Sequence, residues 1–157
     1  MTTEEVAAAL PAYTAGIEAE LSLLKQLQQL AETQERASQS RNLTEVNRAG
    51  DARERVMAAL VRLEHELKPI RLAIAAHRDE AQKLEGFSGI VALHQTAATL
   101  VAEIMRADQN TLAELRSAEI ARRTSVQAVE SGEATLAAYR RVLTPTIGST
   151  GLVDRRG

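Results

Sequence analysis

Residues 44–84 read TEVNRAGDARERVMAALVRLEHELKPIRLAIAAHRDEAQKL. Val46, Ala49, Arg53, Val56, Leu60, Leu63, Leu67, Ile70, Ile74, His77, Ala81 and Leu84 follow one another in alternating steps of three and four. A seven-residue repeat held this long predicts a helix that buries one narrow seam against partner helices and winds left-handed around them. Thr44 is placed to cap its start, with Glu45 in the positive first turn. Pro69 lacks the amide that would bond the His65 carbonyl, at a cost of about 3 kcal/mol in a helix interior, so the rod should kink or break there. Arg53 and His77 put polar groups on the seam and are expected where it is partly open, or with their polar ends turned outward.

The same periodicity extends in both directions. Upstream, Leu10, Tyr13, Ile17, Leu21, Leu24, Leu27 and Ala31 mark one face of a first helix. Pro11 is expected in its first turn, where a missing N–H costs nothing. The pattern fades in the polar stretch Thr33 to Asn42, whose end reads as the first connection. Downstream, Gly86-Phe87-Ser88-Gly89 is the strongest turn signal. Gly86 suits a left-handed helix end, Ser88 can cap the next helix, and Phe87 should plug the end of the bundle. A third seam then runs from Ile90 through His94, Ala97, Val101, Ile104, Asp108, Leu112, Leu115, Arg122, Val126, Val129, Leu136 and Tyr139 or Arg140 to Leu143.

At 1.5 Å per residue the three helices would measure about 40, 60 and 80 Å. The third outruns the others, and Ser131-Gly132 is a candidate bend or break near the overhang. The expected architecture is all-α: an elongated antiparallel bundle of three long helices over residues 1–143, the third divisible into a fourth segment. Thr144-Pro145 and the Gly/Thr-rich run after it end the helix, so residues 144–157 read as a flexible C-terminal tail.

Composition closes off other classes. Of 157 residues 45% are hydrophobic but only 2% aromatic, with 8 glycines and 3 prolines. Sandwiches and barrels need aromatic, β-branched strands and frequent turns. Doubly wound α/β domains need Gly-rich strand-to-helix turns. The net charge of −2 carries no electrostatic footprint for nucleic acid. There is no cysteine, hence no disulfide framework. No signal-peptide pattern opens the chain, and no apolar run approaches the ~18 residues of a membrane span. A cytoplasmic protein without membrane insertion is the expectation.

Catalytic and metal patterns are weak. His65, His77 and His94 lack the Glu-x-x-His spacing of di-iron bundles and the paired histidines of zinc proteases. Glu64, His65 and Glu66 are neighbours that diverge around a helix and should not converge on a metal. Gly148-Ser-Thr-Gly151 lacks the lysine and preceding strand of a phosphate loop. Glu18, Glu20, Glu32 and Glu35 read as solvated surface, and Arg122-Arg123 and Arg140-Arg141 as dipole-favoured helix charges. No enzyme and no cofactor are expected.

What stands out is apolar surface without a partner. If the third helix overhangs, Leu112, Leu115, Val126, Val129, Leu136, Tyr139 and Leu143 have no helix of their own chain to cover them. Such a stripe marks a partner helix from another chain, a homodimer, or a bundle folded back on itself, three readings of equal standing on pattern alone.

Several segments resemble the FlgN-type flagellar type III export chaperones. They are Glu20-Leu-Ser-Leu-Leu-Lys-Gln-Leu27, Leu60-Val-Arg-Leu-Glu64, and Leu112 to Leu115 preceded by Asp108-Gln-Asn110. The most distinctive is the end: Ala138-Tyr139, a Gly/Thr-rich gap, then Leu152-Val-Asp-Arg-Arg-Gly157. Pro69 departs from the family pattern. The resemblance implies a cytoplasmic chaperone that binds C-terminal helices of hook-associated, hook–filament junction proteins and delivers them to the export gate. It implies client contacts along Leu112, Leu115, Val126, Val129, Leu136 and Leu143. It also implies an export-gate contact at Tyr139, for which simple packing on the last helix weighs as much. A homodimeric coiled-coil scaffold along the helix-two seam is the alternative, and a weak homodimer is compatible with either.

Overall fold

A computed structural model describes residues 1–117 and 123–143, together with all their side chains except those of 123–128, 142 and 143. Among the described residues every regular element is helical and no strand occurs. The helices are α1 (Thr3–Gln39), α2 (Leu43–Ala76), α3 (Arg78–Ala81), α4 (Phe87–Ser117) and α5 (Arg123–Leu143). The tail expected over 144–157 lies outside the described residues, as does Arg122.

Local chemistry sets the ends of these helices. Thr2 and Glu5 form a reciprocal capping box, so α1 starts well ahead of Pro11, which lies inside the helix rather than in its first turn. The polar stretch after Ala31 stays helical to Gln39 because Gln34 and Ser38 turn inward and are buried. Arg41 then adopts a left-handed φ of 60°, and the Asn42 amide donates to the Ala37 carbonyl at 2.8 Å. The Asn42 side chain, rather than Thr44, caps α2 by accepting from the Glu45 amide at 3.1 Å. α2 continues through Pro69 to Ala76 without breaking. The break falls instead at His77, so the expected second helix divides into α2 and the single turn α3. Gly86 has φ +89°, the left-handed conformation expected of it. Ser88 lies within α4 instead of capping it, while Phe87 is buried at that end of the core.

α1 packs along α2 and α4, and α5 rests on α4 and α2. α1 and α2 run antiparallel. Gly16 meets Leu67 so closely that an added Cβ would lie 2.5 Å from Leu67 Cδ2, and Gln34 Nε2 donates to the Val46 carbonyl at 3.1 Å. α1 and α4 run in the same direction, tied by Tyr13 to His94, Gln28 to Glu103 and Asn110 to Glu35. One core cluster gathers Val6, Tyr13, Ile17, Ile74, Phe87 and Ile90; the other gathers Leu24, Leu27, Leu60, Val101, Ile104 and Leu136.

The third helix is not one rod. It is two helices, α4 and α5, that lie antiparallel, so that Arg116 meets Glu130 at 3.5 Å. No break falls at Ser131-Gly132, since α5 runs through it. Gly132 serves another purpose. A Cβ there would sit 3.0 Å from Arg53 Nη2, so the missing side chain lets α5 approach α2. Folding back buries Val129, Leu136 and Tyr139, which a protruding helix would leave in water. Against the expectation that no apolar run approaches a membrane span, α4 contains an 18-residue window of mean hydropathy 1.2, apolar enough by length and composition to cross a membrane. Its Ile90, Val101 and Ile104 are buried in the two cores.

Candidate functional site

Polar residues on the helical seams gather into two buried clusters, and α5 lies across both. The first is an ion pair. Arg53 from α2 turns inward instead of outward, and its guanidinium meets the Asp108 carboxylate of α4, Nη2 to Oδ2 at 2.8 Å. Arg53 Nη1 also donates to Gln34 Oε1 at 2.8 Å, and the amide of that same Gln34 is spent on the Val46 carbonyl. The two side chains are at most 5% exposed. No polar atom of either side chain is buried without a hydrogen-bond partner, which is what makes burying charge tolerable.

The second cluster is not fully satisfied. Glu20 stands on α1 between Ile17 and Leu24, completely buried rather than solvated. Arg71, from the α2 seam between Leu67 and Ile74, reaches it through Nη2 at 3.4 Å, and the same nitrogen lies 2.8 Å from Glu64 Oε2. The Tyr139 hydroxyl of α5 donates to the other Glu20 oxygen. Arg71 lies over the Tyr13 ring at 5.8 Å, and Tyr13 Oη is 3.1 Å from His94 Nε2. Arg71 Nε and Nη1, both Glu64 oxygens and His94 Nδ1 are buried without a hydrogen-bond partner. Glu64 Oε2 is thus close enough to Arg71 for an ion pair but lacks hydrogen-bond alignment with it.

Burial dominates the electrostatics. It pushes Glu20 up to about 7, against the opposing pull of the Tyr139 hydrogen bond and Arg71, and it raises Glu64 as well. It pushes His94 down to about 3, with Arg71 adding to the effect, so this histidine is neutral near pH 7. Tyr13 and Tyr139 are both raised by burial and keep their protons.

Clefts flank α5 on both sides. One of about 500 Å³ lies against α4 and includes Leu112, Arg116 and Glu130. On the α2 side, one of about 490 Å³ includes Gly50, Met57, Val61 and Gly132, and one of about 170 Å³ ends at Glu64 and Tyr139. Among the described residues no group of three or more histidine, aspartate or glutamate side chains is arranged to hold a metal ion. Glu64 points inward while His65 and Glu66 are exposed.

Of the three readings of the apolar stripe, the structure shows the bundle folded back on itself. Leu112, Leu115, Val129, Leu136 and Tyr139 are all buried within the chain, because α5 folds back onto α4 and α2. The side chains of Val126 and Leu143 lie outside those described. Tyr139 is a core residue whose hydroxyl is engaged by Glu20. The helix-two seam is likewise spent within the chain, with Val46, Ala49, Leu60, Leu67 and Ile74 buried. Reading by composition missed Glu20, Gln34 and Arg71. The signal was present in the register, since each stands three or four residues from a buried apolar neighbour on its seam.

No protein-family model, no curated protein and no solved structure matches this chain.

Proposed function

We propose that this protein is a binding protein without catalytic turnover, a cytoplasmic chaperone of flagellar type III export. It holds C-terminal helices of hook-associated proteins and hands them to the export gate. The observation that carries the binding part is the seating of α5. An amphipathic helix lies over a body built by α1, α2 and α4, with open clefts along both its edges. A client helix with a similar apolar stripe docks by the same helix-in-groove physics, beside α5 or in its place. Displacing α5 uncovers Leu112, Leu115, Val129 and Leu136 for the client and Tyr139 for the gate. The flagellar part rests on the resemblance of the quoted segments, from Glu20–Leu27 to the Ala138-Tyr139 end.

Co-purification with hook-associated proteins of the same organism tests the reading. A one-to-one complex with one of them, lost when the chain is cut after Leu112, is the expected result. Absence of any complex, or capture that survives that truncation, overturns it.

A further inference from the structure

We propose that Glu20 and Glu64 hold one proton between them, and that this proton locks α5 onto the bundle. While the pair holds it, α5 is docked; when the pair loses it, α5 loosens.

The geometry carries the inference. Two carboxylates from different helices face a single guanidinium, and one nitrogen, Arg71 Nη2, serves both, at 3.4 Å for Glu20 and 2.8 Å for Glu64. The charges around the pair are few and can be named. On α1 there are Glu20 itself and the neutral phenol of Tyr13. On α2 there are Glu64, Arg71 and, one turn from Glu64, the exposed Lys68. α4 contributes His94, and α5 contributes the phenol of Tyr139. With both carboxylates ionised, the buried groups sum to one net negative charge, and neither Glu64 oxygen has a hydrogen bond to stabilise it. With one proton added the cluster is neutral. On either carboxyl, that proton leaves a single anion facing Arg71.

The roof of this cluster is α5. The Tyr139 hydroxyl reaches Glu20 from that helix, and a cleft lined by Glu64, Thr135, Ala138 and Tyr139 already leads toward it from solvent. Lifting α5 hydrates both carboxylates and removes the penalty on the second charge. Loss of the proton and release of the helix therefore favour one another. Burial holds both carboxyls above the usual range, which brings the transition toward neutral pH. This inference is independent of the export reading, since it concerns only how the chain holds its own helix.

Amide hydrogen exchange of the full chain tests it, at about pH 5.5 and about pH 8.5, with rates corrected for intrinsic exchange. Amides of α5 should lose roughly tenfold or more of their protection at the higher pH, while those of α1 keep theirs. Glu64→Gln, which keeps a hydrogen-bond donor toward Glu20 without the charge, should remain protected at both. Equal α5 protection at both pH values in the unaltered protein overturns the proposal, as does an undiminished loss in Glu64→Gln. Carboxyl ¹³C resonances of the unaltered protein provide a check that needs no variant. A glutamate titrating near neutrality is expected, and titration of every glutamate below about pH 5 overturns the proposal. Client capture enters neither readout, so failure here leaves the export reading standing.

Discussion

Arg53 of α2 and Asp108 of α4 close on one another across the interior of the bundle, Nη2 to Oδ2 at 2.8 Å, directly beneath Gly132 of α5. These residues belong to three different helices, so the pair fixes the register of all three at one level. Arg53 Nη1 also donates to Gln34 of α1, which brings in a fourth helix.

Removing one partner of this pair strands the other. Arg53→Ala or Asp108→Ala should each destabilise the fold by about 3–5 kcal/mol, because an uncompensated charge is left in the interior. The double replacement Arg53→Met with Asp108→Leu should cost far less than the sum, and can equal the natural pair in stability. Urea denaturation of the four proteins measures this. Single variants within 1 kcal/mol of the natural chain would show that water reaches the pair.

Tyr139 should behave as a core residue. Tyr139→Ala removes a buried ring and should cost about 3–5 kcal/mol, with loss of helicity confined to α5. Tyr139→Phe keeps the ring but takes the donor from Glu20, for about 1–3 kcal/mol. A surface tyrosine would leave stability within about 0.5 kcal/mol in both. Thermal melts by circular dichroism distinguish the two situations.

Glu20 and His94 pull the pH dependence in opposite directions. The folded chain holds Glu20 above its ordinary 4.5, at about 7, so its contribution is full at low pH and is lost as pH rises through that interval. It holds His94 below its ordinary 6.5, at about 3, so its contribution is full above 6.5 and is lost as pH falls toward 3. Where the two windows overlap, between 4.5 and 6.5, the slopes oppose each other. His94→Gln, which can still pair with the Tyr13 hydroxyl, removes the histidine slope. Its stability should rise on acidification across this overlap, whereas that of the natural chain changes less. Denaturant midpoints at the two ends of the interval provide the comparison. Parallel curves for the two proteins would contradict the assignment.

Much of the helical frame was legible in the register of apolar residues. The seam from Val46 to Ile74, the left-handed Gly86 and the buried Phe87 follow from spacing and from the backbone freedom of glycine. The helix ends were less legible, because capping depends on which of several adjacent polar residues reaches the free amides. Thr44 was the expected cap of α2, and after the left-handed residue Arg41 it is Asn42 that takes this role. The buried clusters were the least legible. Glu20 reads as one of many surface glutamates until the helices opposite supply Arg71 and Tyr139.

The chain by itself determines a helical protein and where its seams lie, because these follow from local periodicity and composition. The tertiary structure decided what those seams face. The third seam would serve a partner or its own chain equally well by pattern, since an apolar stripe carries no address. Folding α5 back covers that stripe, turns Tyr139 into an interior residue, and sets two carboxylates against one arginine at a level that no single helix specifies.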